Sequence, residues 1–303
     1  MSVAARLEPS LLAGFARPLL EELRRRVAAG GRPLIALNGP VGAGKSSLAR
    51  CLRELAPAVG LRVAVASIDD AYLPWVERRQ AMAGNPFGVT RVPPGSHDTA
   101  LLQERLARWR AGGQLVLPRF DKTLRDGQGD RCGEEALEAD AVVLEGWLLG
   151  CRSLGEALPG QLAAIDAMPA VSQPLPWPLA VQERTWLPHW DRALEAYAPL
   201  GDPALGLVDG LWVLHPSRWS LPLRWRLQAE ARQRHSGGGA LSGQAVAAMV
   251  RATLASLPPA LYQDPLLEHA NAAAVIDGRR RCIQRWGSGA DQLSLSSASS
   301  LTG

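Results

Sequence analysis

One eight-residue segment constrains this chain more than any other: Gly39-Pro40-Val41-Gly42-Ala43-Gly44-Lys45-Ser46, which fits GxxxxGK[ST] in full. Before it, Pro33-Leu34-Ile35-Ala36-Leu37 is a short apolar run that reads as a buried strand. After it, Ser46 to Val59 reads as a helix with Leu48, Leu52 and Leu55 inward. In that order, strand, loop and helix form a phosphate cradle. The glycines let backbone N–H groups curl around an anion, Lys45 reaches the β- and γ-phosphates, and Ser46 holds Mg²⁺. The expected nucleotide-binding residues are Gly39, Pro40, Val41, Gly42, Ala43, Gly44, Lys45, Ser46 and Ser47. The plainer alternative is a strand–turn–helix that binds nothing. The motif implies a nucleoside triphosphate and Mg²⁺ but does not separate kinase from ATPase or GTPase.

Composition sharpens the reading of Lys45. Of the 33 basic residues, only Lys45 and Lys122 are lysine. A lysine kept against such an arginine bias marks a place where a compact ammonium is needed. The 33 basic and 29 acidic side chains leave a net charge of +4, too little over 303 residues to demand a nucleic-acid partner. A hydrophobic fraction of 47% excludes a mainly disordered chain, and the 30 glycines follow no period. Cys51, Cys132, Cys151 and Cys282 form no CxxC pair, so reduced thiols in a cytoplasmic protein are expected. The start of the sequence lacks the pattern of a secretory signal. The longest uncharged run, Ala167 to Gln182, is broken by four prolines, so no membrane span is expected.

The remaining periodicities outline an α/β chain. Leu11, Phe15, Leu19, Leu23 and Val27 make a helical stripe over 9–29, with Ser10 as candidate N-cap and Pro18 as a kink or division. Further apolar runs at 62–67, 141–144, 211–214 and 273–276 read as strands, giving about five. Short apolar strands separated by helices predict a parallel sheet covered on both faces. Residues 71–135 read as loop apart from a helix over Thr99 to Ala111, and 151–180 as irregular. Leu221 to Arg234 reads as a basic helix stopped by Gly237-Gly238-Gly239. The expected organisation is a helical segment over 1–30, a P-loop domain over 31–286 with a lid near 217–243, and a disordered tail over 287–303.

Candidate chemistry clusters where strands end, the usual ligand side of a parallel sheet. Asp69 and Asp70 follow the second strand. Asp69 is the better candidate for the base and a possible Mg²⁺ neighbour, whereas Asp70 could cap a helix or face substrate. Glu145 ends the third strand, at the position of an acid that holds Mg²⁺ or its water. His97 and Asp98 could bind substrate hydroxyls, and Asp98 could equally cap the helix that follows. Arg119, Lys122 and Arg125 could clamp an anionic group. Arg224, Arg226, Arg232 and Arg234 lie on the basic helix, which suits a lid over transferring phosphate or, more plainly, a solvated face.

Together these segments resemble the plant and cyanobacterial type of D-glycerate 3-kinase, within the phosphoribulokinase, uridine kinase and pantothenate kinase group. The resemblance rests on Gly39 to Ser46, Ser67-Ile68-Asp69-Asp70-Ala71-Tyr72-Leu73, Gly84-Asn85-Pro86, Pro94-Gly95-Ser96-His97-Asp98, Pro118-Arg119-Phe120-Asp121-Lys122, Val143-Leu144-Glu145-Gly146-Trp147 and Trp225 to Glu230. It runs from about residue 32 to 278 and is weak over 151–200. It implies ATP-dependent phosphorylation of D-glycerate to 3-phospho-D-glycerate, with ATP and Mg²⁺ as cofactors. It gives catalytic roles to Lys45, Asp69, Glu145 and Arg226. It places Asp70, Tyr72, His97, Asp98, Arg119, Asp121, Lys122 and Arg125 at the substrate, and Ser46, Asp69 and Glu145 at the metal. The partner implied is a small hydroxy acid, with no nucleic acid, membrane or obligate protein partner. The alternatives are a related kinase for a nucleoside, pantothenate-like acid or other sugar acid, and a P-loop ATPase or switch acting through a protein.

Overall fold

The five apolar runs are strands of one sheet in the computed structural model, which describes residues 7–168, 177–235 and 241–287. The strands are β1 (Leu34–Asn38), β2 (Val63–Ser67), β3 (Leu115–Asp121), β4 (Asp130–Leu137), β5 (Ala141–Gly146), β6 (Gly210–Pro216), β7 (Ala272–Ile276) and β8 (Cys282–Gly287). The helices are α1 (Pro9–Leu11), α2 (Arg17–Ala28), α3 (Lys45–Leu55), α4 (Trp75–Ala81), α5 (Thr99–Arg110), α6 (Leu158–Asp166), α7 (Val181–Ala193), α8 (Leu221–His235) and α9 (Gly243–Ser256), with single turns α10 (Pro259–Tyr262) and α11 (Leu266–His269). The main sheet has the order β2-β5-β1-β6-β7-β8. Its first five members run parallel, and β8 is an antiparallel edge that the sequence reading lacked.

Each central strand is buried on both faces, as a sheet between two helical layers requires. Leu34 and Ala36 join a core with Val142, Leu144, Leu106 and Trp190, while Ile35 and Leu37 join an opposite core with Val143, Leu48, Leu52 and Trp212. The second core also takes Leu11, Phe15, Leu19 and Leu23, and Phe15 meets Trp212 edge-on at 5.1 Å. The N-terminal helical segment is therefore packed onto the sheet.

Pro18 acts as expected, through a widened turn. Leu12–Ala16 forms a π-helical turn just before it. A proline cannot donate to the carbonyl four residues back and collides with it in a regular helix. That carbonyl, Gly14 O, instead accepts from Arg285 Nη1 of β8 at 3.4 Å. Ser10 is not the N-cap. Glu8 accepts from the backbone N–H groups of Ser10 and Leu11 at 2.9 and 3.1 Å, and Ser10 Oγ accepts from Cys282 N at 2.8 Å.

The larger correction falls within 71–135. Residues read as loop form the antiparallel hairpin β3–β4, outside the main sheet, together with α4. Helix α6 occupies part of the stretch read as irregular. The segment 169–176, the glycine stop and the tail beyond 287 lie outside the described residues. All four cysteines are free thiols, three of them buried. Among the described residues no single helix is long and apolar enough to cross a membrane.

The loop leaving β5 is fixed by a backbone crossing. Gly150 has φ +83°, and a Cβ on Gly201 would lie 2.0 Å from Gly150 N and 2.8 Å from its Cα. Nothing at that distance can yield without moving main chain. Gly201→Ala should lower stability by about 3 kcal/mol in urea unfolding; a loss under about 1 kcal/mol would show that the crossing relaxes.

Candidate active site

The site is assembled by strand register. Ser67 of β2 pairs with Glu145 of β5, which pairs with Leu37 of β1. The exits of these three strands therefore lie side by side. The loop Gly39–Gly44 leaves β1, Asp69 and Asp70 leave β2 on a 3₁₀ turn over Ile68–Ala71, and Glu145 is at the end of β5.

The phosphate loop has the expected backbone. Gly42 and Gly44 take φ of +79° and +101°, a region that favours glycine. A Cβ on Gly42 would stand 2.8 Å from Cβ of Trp225, so α8 lies directly against the loop. Lys45 Nζ donates to Gly39 O at 2.7 Å and Pro40 O at 3.2 Å. Burial pulls its pKa down, and Glu145 and Asp69 oppose that. Ser46 Oγ donates to Glu145 Oε1 at 2.6 Å, and Ser47 is exposed on the first turn of α3.

Asp69 accepts a hydrogen bond on each of its two oxygens. Its Oδ2 accepts from Lys122 Nζ at 2.9 Å, and its Oδ1 from the Tyr72 hydroxyl at 3.1 Å. His97 Nε2 stands 3.9 Å from Oδ1. Burial alone would raise the Asp69 carboxyl, but the Lys122 ammonium and the neighbouring His97 together outweigh it and hold the group well below the usual carboxylate range. Its neighbour differs. Burial raises Asp70, and Arg119 at 3.5 Å only partly offsets this. The two adjacent carboxyls are thus pushed in opposite directions, the pattern that separates an ionised base from its surroundings.

Tyr72 and His97 form an isolated antiparallel bridge, and their rings stack at 4.2 Å. Burial holds the His97 imidazole below the ordinary histidine range. Asp98 caps α5 with one oxygen through Leu101 N at 3.0 Å, and its other oxygen is engaged by Arg131 at 2.8 Å. Asp121 and Arg125 are used within the hairpin turn rather than toward Asp69. Asp121 Oδ1 accepts from the N–H and hydroxyl of Thr123, and Arg125 pairs with Asp130 at 3.0 Å. Arg226 is ion-paired with Glu230 one turn further on. The other oxygen of Glu230 accepts from Leu241 N at 2.8 Å, joining α8 to the approach to α9. Asn85 of the Gly84-Asn85-Pro86 segment ties its own loop through Met82 O and Val89 O.

Three participants carry no signal in the sequence. Arg280, with φ +63°, donates from Nε to Gly42 O at 2.9 Å and lies over the Trp225 ring. Tyr197, from the weakly matching 151–200 region, contacts Gly95 N and His97 Nδ1, both at 2.9 Å. Arg78 is fully buried on α4. It donates to Leu73 O at 2.8 Å, to Gln128 O at 3.1 Å and to Gly129 O, and lies 4.9 Å over the Phe120 ring. It fastens the hairpin turn to the segment after Asp69, which sets Lys122 opposite that carboxylate. The sequence reading places Glu77-Arg78-Arg79 in a loop, so only the fold reveals the role.

No protein-family model matches the chain. It is 28% identical over 225 residues to a protein named uncharacterized kinase mug58 from Schizosaccharomyces pombe, covering 70% of this chain and 75% of that one. It is 32% identical over 154 residues to the probable ATP-dependent kinase TDA10 of Saccharomyces cerevisiae, covering 44% of this chain and about half, 53%, of that one. The D-glycerate 3-kinase structure from Cryptococcus neoformans aligns with a TM-score of 0.76 and 23% identity, covering 92% of this chain and all of that one. The fold is that of the aligned D-glycerate 3-kinase structure. The resemblance drawn from the motifs is the one to which these comparisons return.

Arg78→Ala would strand three carbonyls and loosen the hairpin. It should cost about 3 kcal/mol in denaturant unfolding, and Arg78→Lys should recover less than half, because an ammonium cannot reproduce the fork. Full recovery by lysine would refute the clamp.

Proposed function

We propose that this protein is an ATP-dependent kinase that transfers a phosphoryl group to D-glycerate, giving 3-phospho-D-glycerate. The observation that carries this reading is Asp69. It is a carboxylate paired with Lys122, bonded by Tyr72, and set by strand register beside the phosphate loop. The kinase names of the two sequence relatives and the D-glycerate 3-kinase alignment support the reaction class and the acceptor.

Phosphoryl transfer requires positioning and charge neutralisation more than covalent chemistry. The loop N–H groups and Lys45 would hold the β- and γ-phosphates, with Lys45 exchanging its two carbonyl partners for phosphate oxygens. Asp69 would accept the proton of the attacking hydroxyl, a task suited to a group that is ionised at neutral pH. Arg119 would face the acceptor's carboxylate. It is half-exposed, and its pairs with Asp70 and Glu135 are both long at 3.5 Å, so it is free to turn. Ser46 and Glu145 offer hard oxygen donors side by side at the loop, which fits Mg²⁺, an ion that takes few protein ligands and completes its shell with phosphates and water. When bound, the ion would neutralise charge on the transferring phosphate.

The test is ADP release from MgATP with D-glycerate, L-glycerate, uridine, pantothenate, ribulose 5-phosphate or no acceptor. Turnover with D-glycerate alone is expected. Turnover with another acceptor would replace the substrate, and acceptor-independent release would replace the kinase reading with an ATPase.

Because Lys122 contacts the proposed base itself, its loss should reach the chemical step. Lys122→Ala should lower kcat about 10²-fold, as well as raising KM for the acceptor, and leave KM for ATP nearly unchanged. A change confined to acceptor KM would make Lys122 a substrate clamp only.

A further inference from the structure

Tyr197 lies outside every motif, yet its hydroxyl decides where the proton of His97 resides. Gly95 N–H donates to that hydroxyl at 2.9 Å, so the oxygen is already an acceptor. The hydroxyl proton is then left for His97 Nδ1, also at 2.9 Å. Were Nδ1 protonated instead, two N–H groups would converge on one oxygen, and a buried hydroxyl proton would have no acceptor. Ser96 Oγ donates to Pro93 O at 2.7 Å and stands 3.3 Å from Nδ1. An Nδ1–H turned to Ser96 Oγ would still leave the Tyr197 hydroxyl proton without an acceptor. The neutral ring therefore carries its proton on Nε2. That atom is fully buried, has no hydrogen-bond partner among the described residues, and faces Asp69 Oδ1 at 3.9 Å. The Tyr72 ring stacked on the imidazole keeps it from swinging away.

We infer that Tyr197 is a positioning residue that fixes His97 as an Nε2–H donor aimed at Asp69, so that the bond closes onto the carboxylate as the site tightens around its substrates. An N–H left unpaired in a buried place is costly, and Asp69 is the acceptor it faces. Gaps of this size in a site without substrates commonly shorten in the working complex. The donated bond would orient Asp69 and favour its ionised form, as an orienting partner does for a catalytic group. This inference rests on the proposed role of Asp69 as the base.

Long-range ¹⁵N–¹H correlation spectra of the full chain at pH 8 read the tautomer without any activity. The wild-type protein should show His97 with its proton on Nε2, and Tyr197→Phe should lose that preference. The same variant should lower kcat with D-glycerate roughly 10- to 100-fold and leave KM for ATP unchanged. A wild-type Nδ1–H tautomer would overturn the inference. So would a Tyr197→Phe protein that keeps the Nε2–H tautomer, or one that loses it with kcat unchanged. If Tyr197→Phe fails to fold, His97→Gln and His97→Asn decide instead. Glutamine places an N–H near Nε2 and should retain far more turnover than asparagine, which places it near Nδ1; the reverse order would overturn the inference. If no acceptor is phosphorylated, the proposed function fails, while the wild-type spectrum still reports the tautomer on its own.

Discussion

The pairing of Ser67 with Glu145, and of Glu145 with Leu37, is the constraint on which the site depends. Parallel strands in register deliver their exits to one edge, and here β1 lies between β5 and β6, where the order of the sheet reverses. A one-residue slip of β2 would turn its side chains to the other face and carry the Asp69 turn away from the phosphate loop. The double-sided burial of β1 and β5 resists such a slip, because Leu34 and Ala36 belong to one core and Ile35 and Leu37 to the other. Packing on both faces thus fixes the chemistry at the end.

The hairpin β3–β4 completes the site from outside that sheet. Its turn carries Lys122 to Asp69, and the turn is held by buried Arg78. Strand β4 is mostly exposed and contributes little apolar burial of its own. Its position depends instead on directional bonds: Arg78 to the turn carbonyls, Arg131 to Tyr72 O at 2.9 Å, and Asp130 to Trp75 N at 3.0 Å. Polar fasteners can hold a loop in one place while leaving it free to shift when substrate supplies competing partners.

What was legible in the sequence follows this division. The phosphate loop, Asp69 and Glu145 could be read because local pattern and strand order suffice to place them. The hairpin could not, since Pro118 interrupts β3 at a bulge and β4 lacks alternation. The edge strand β8 is only partly buried and has no apolar run, which hid it equally. Ser10 looked like a cap because its residue type favours that place, but the tertiary bond from Cys282 N engages its hydroxyl. Asp121 and Arg125 were grouped with Lys122 by proximity in sequence. The turn between them, with φ +54° at Arg125, sends their side chains to local partners. Arg78, Tyr197 and Arg280 were invisible because each acts through contacts to backbone or to a residue distant in sequence.

A common feature unites the cations around the loop. Lys45 is bonded to two loop carbonyls, Lys122 to Asp69, Arg226 to Glu230, and Arg280 to Gly42 O. A cation left bare in a partly buried site would lose much of its solvation without compensation. Each local partner removes that cost. The two lysines sit closest to the proposed chemistry, and a lysine ammonium swings between acceptors more readily than the planar fork of arginine. That difference gives a physical reason for an otherwise arginine-dominated chain to keep lysine at these two positions.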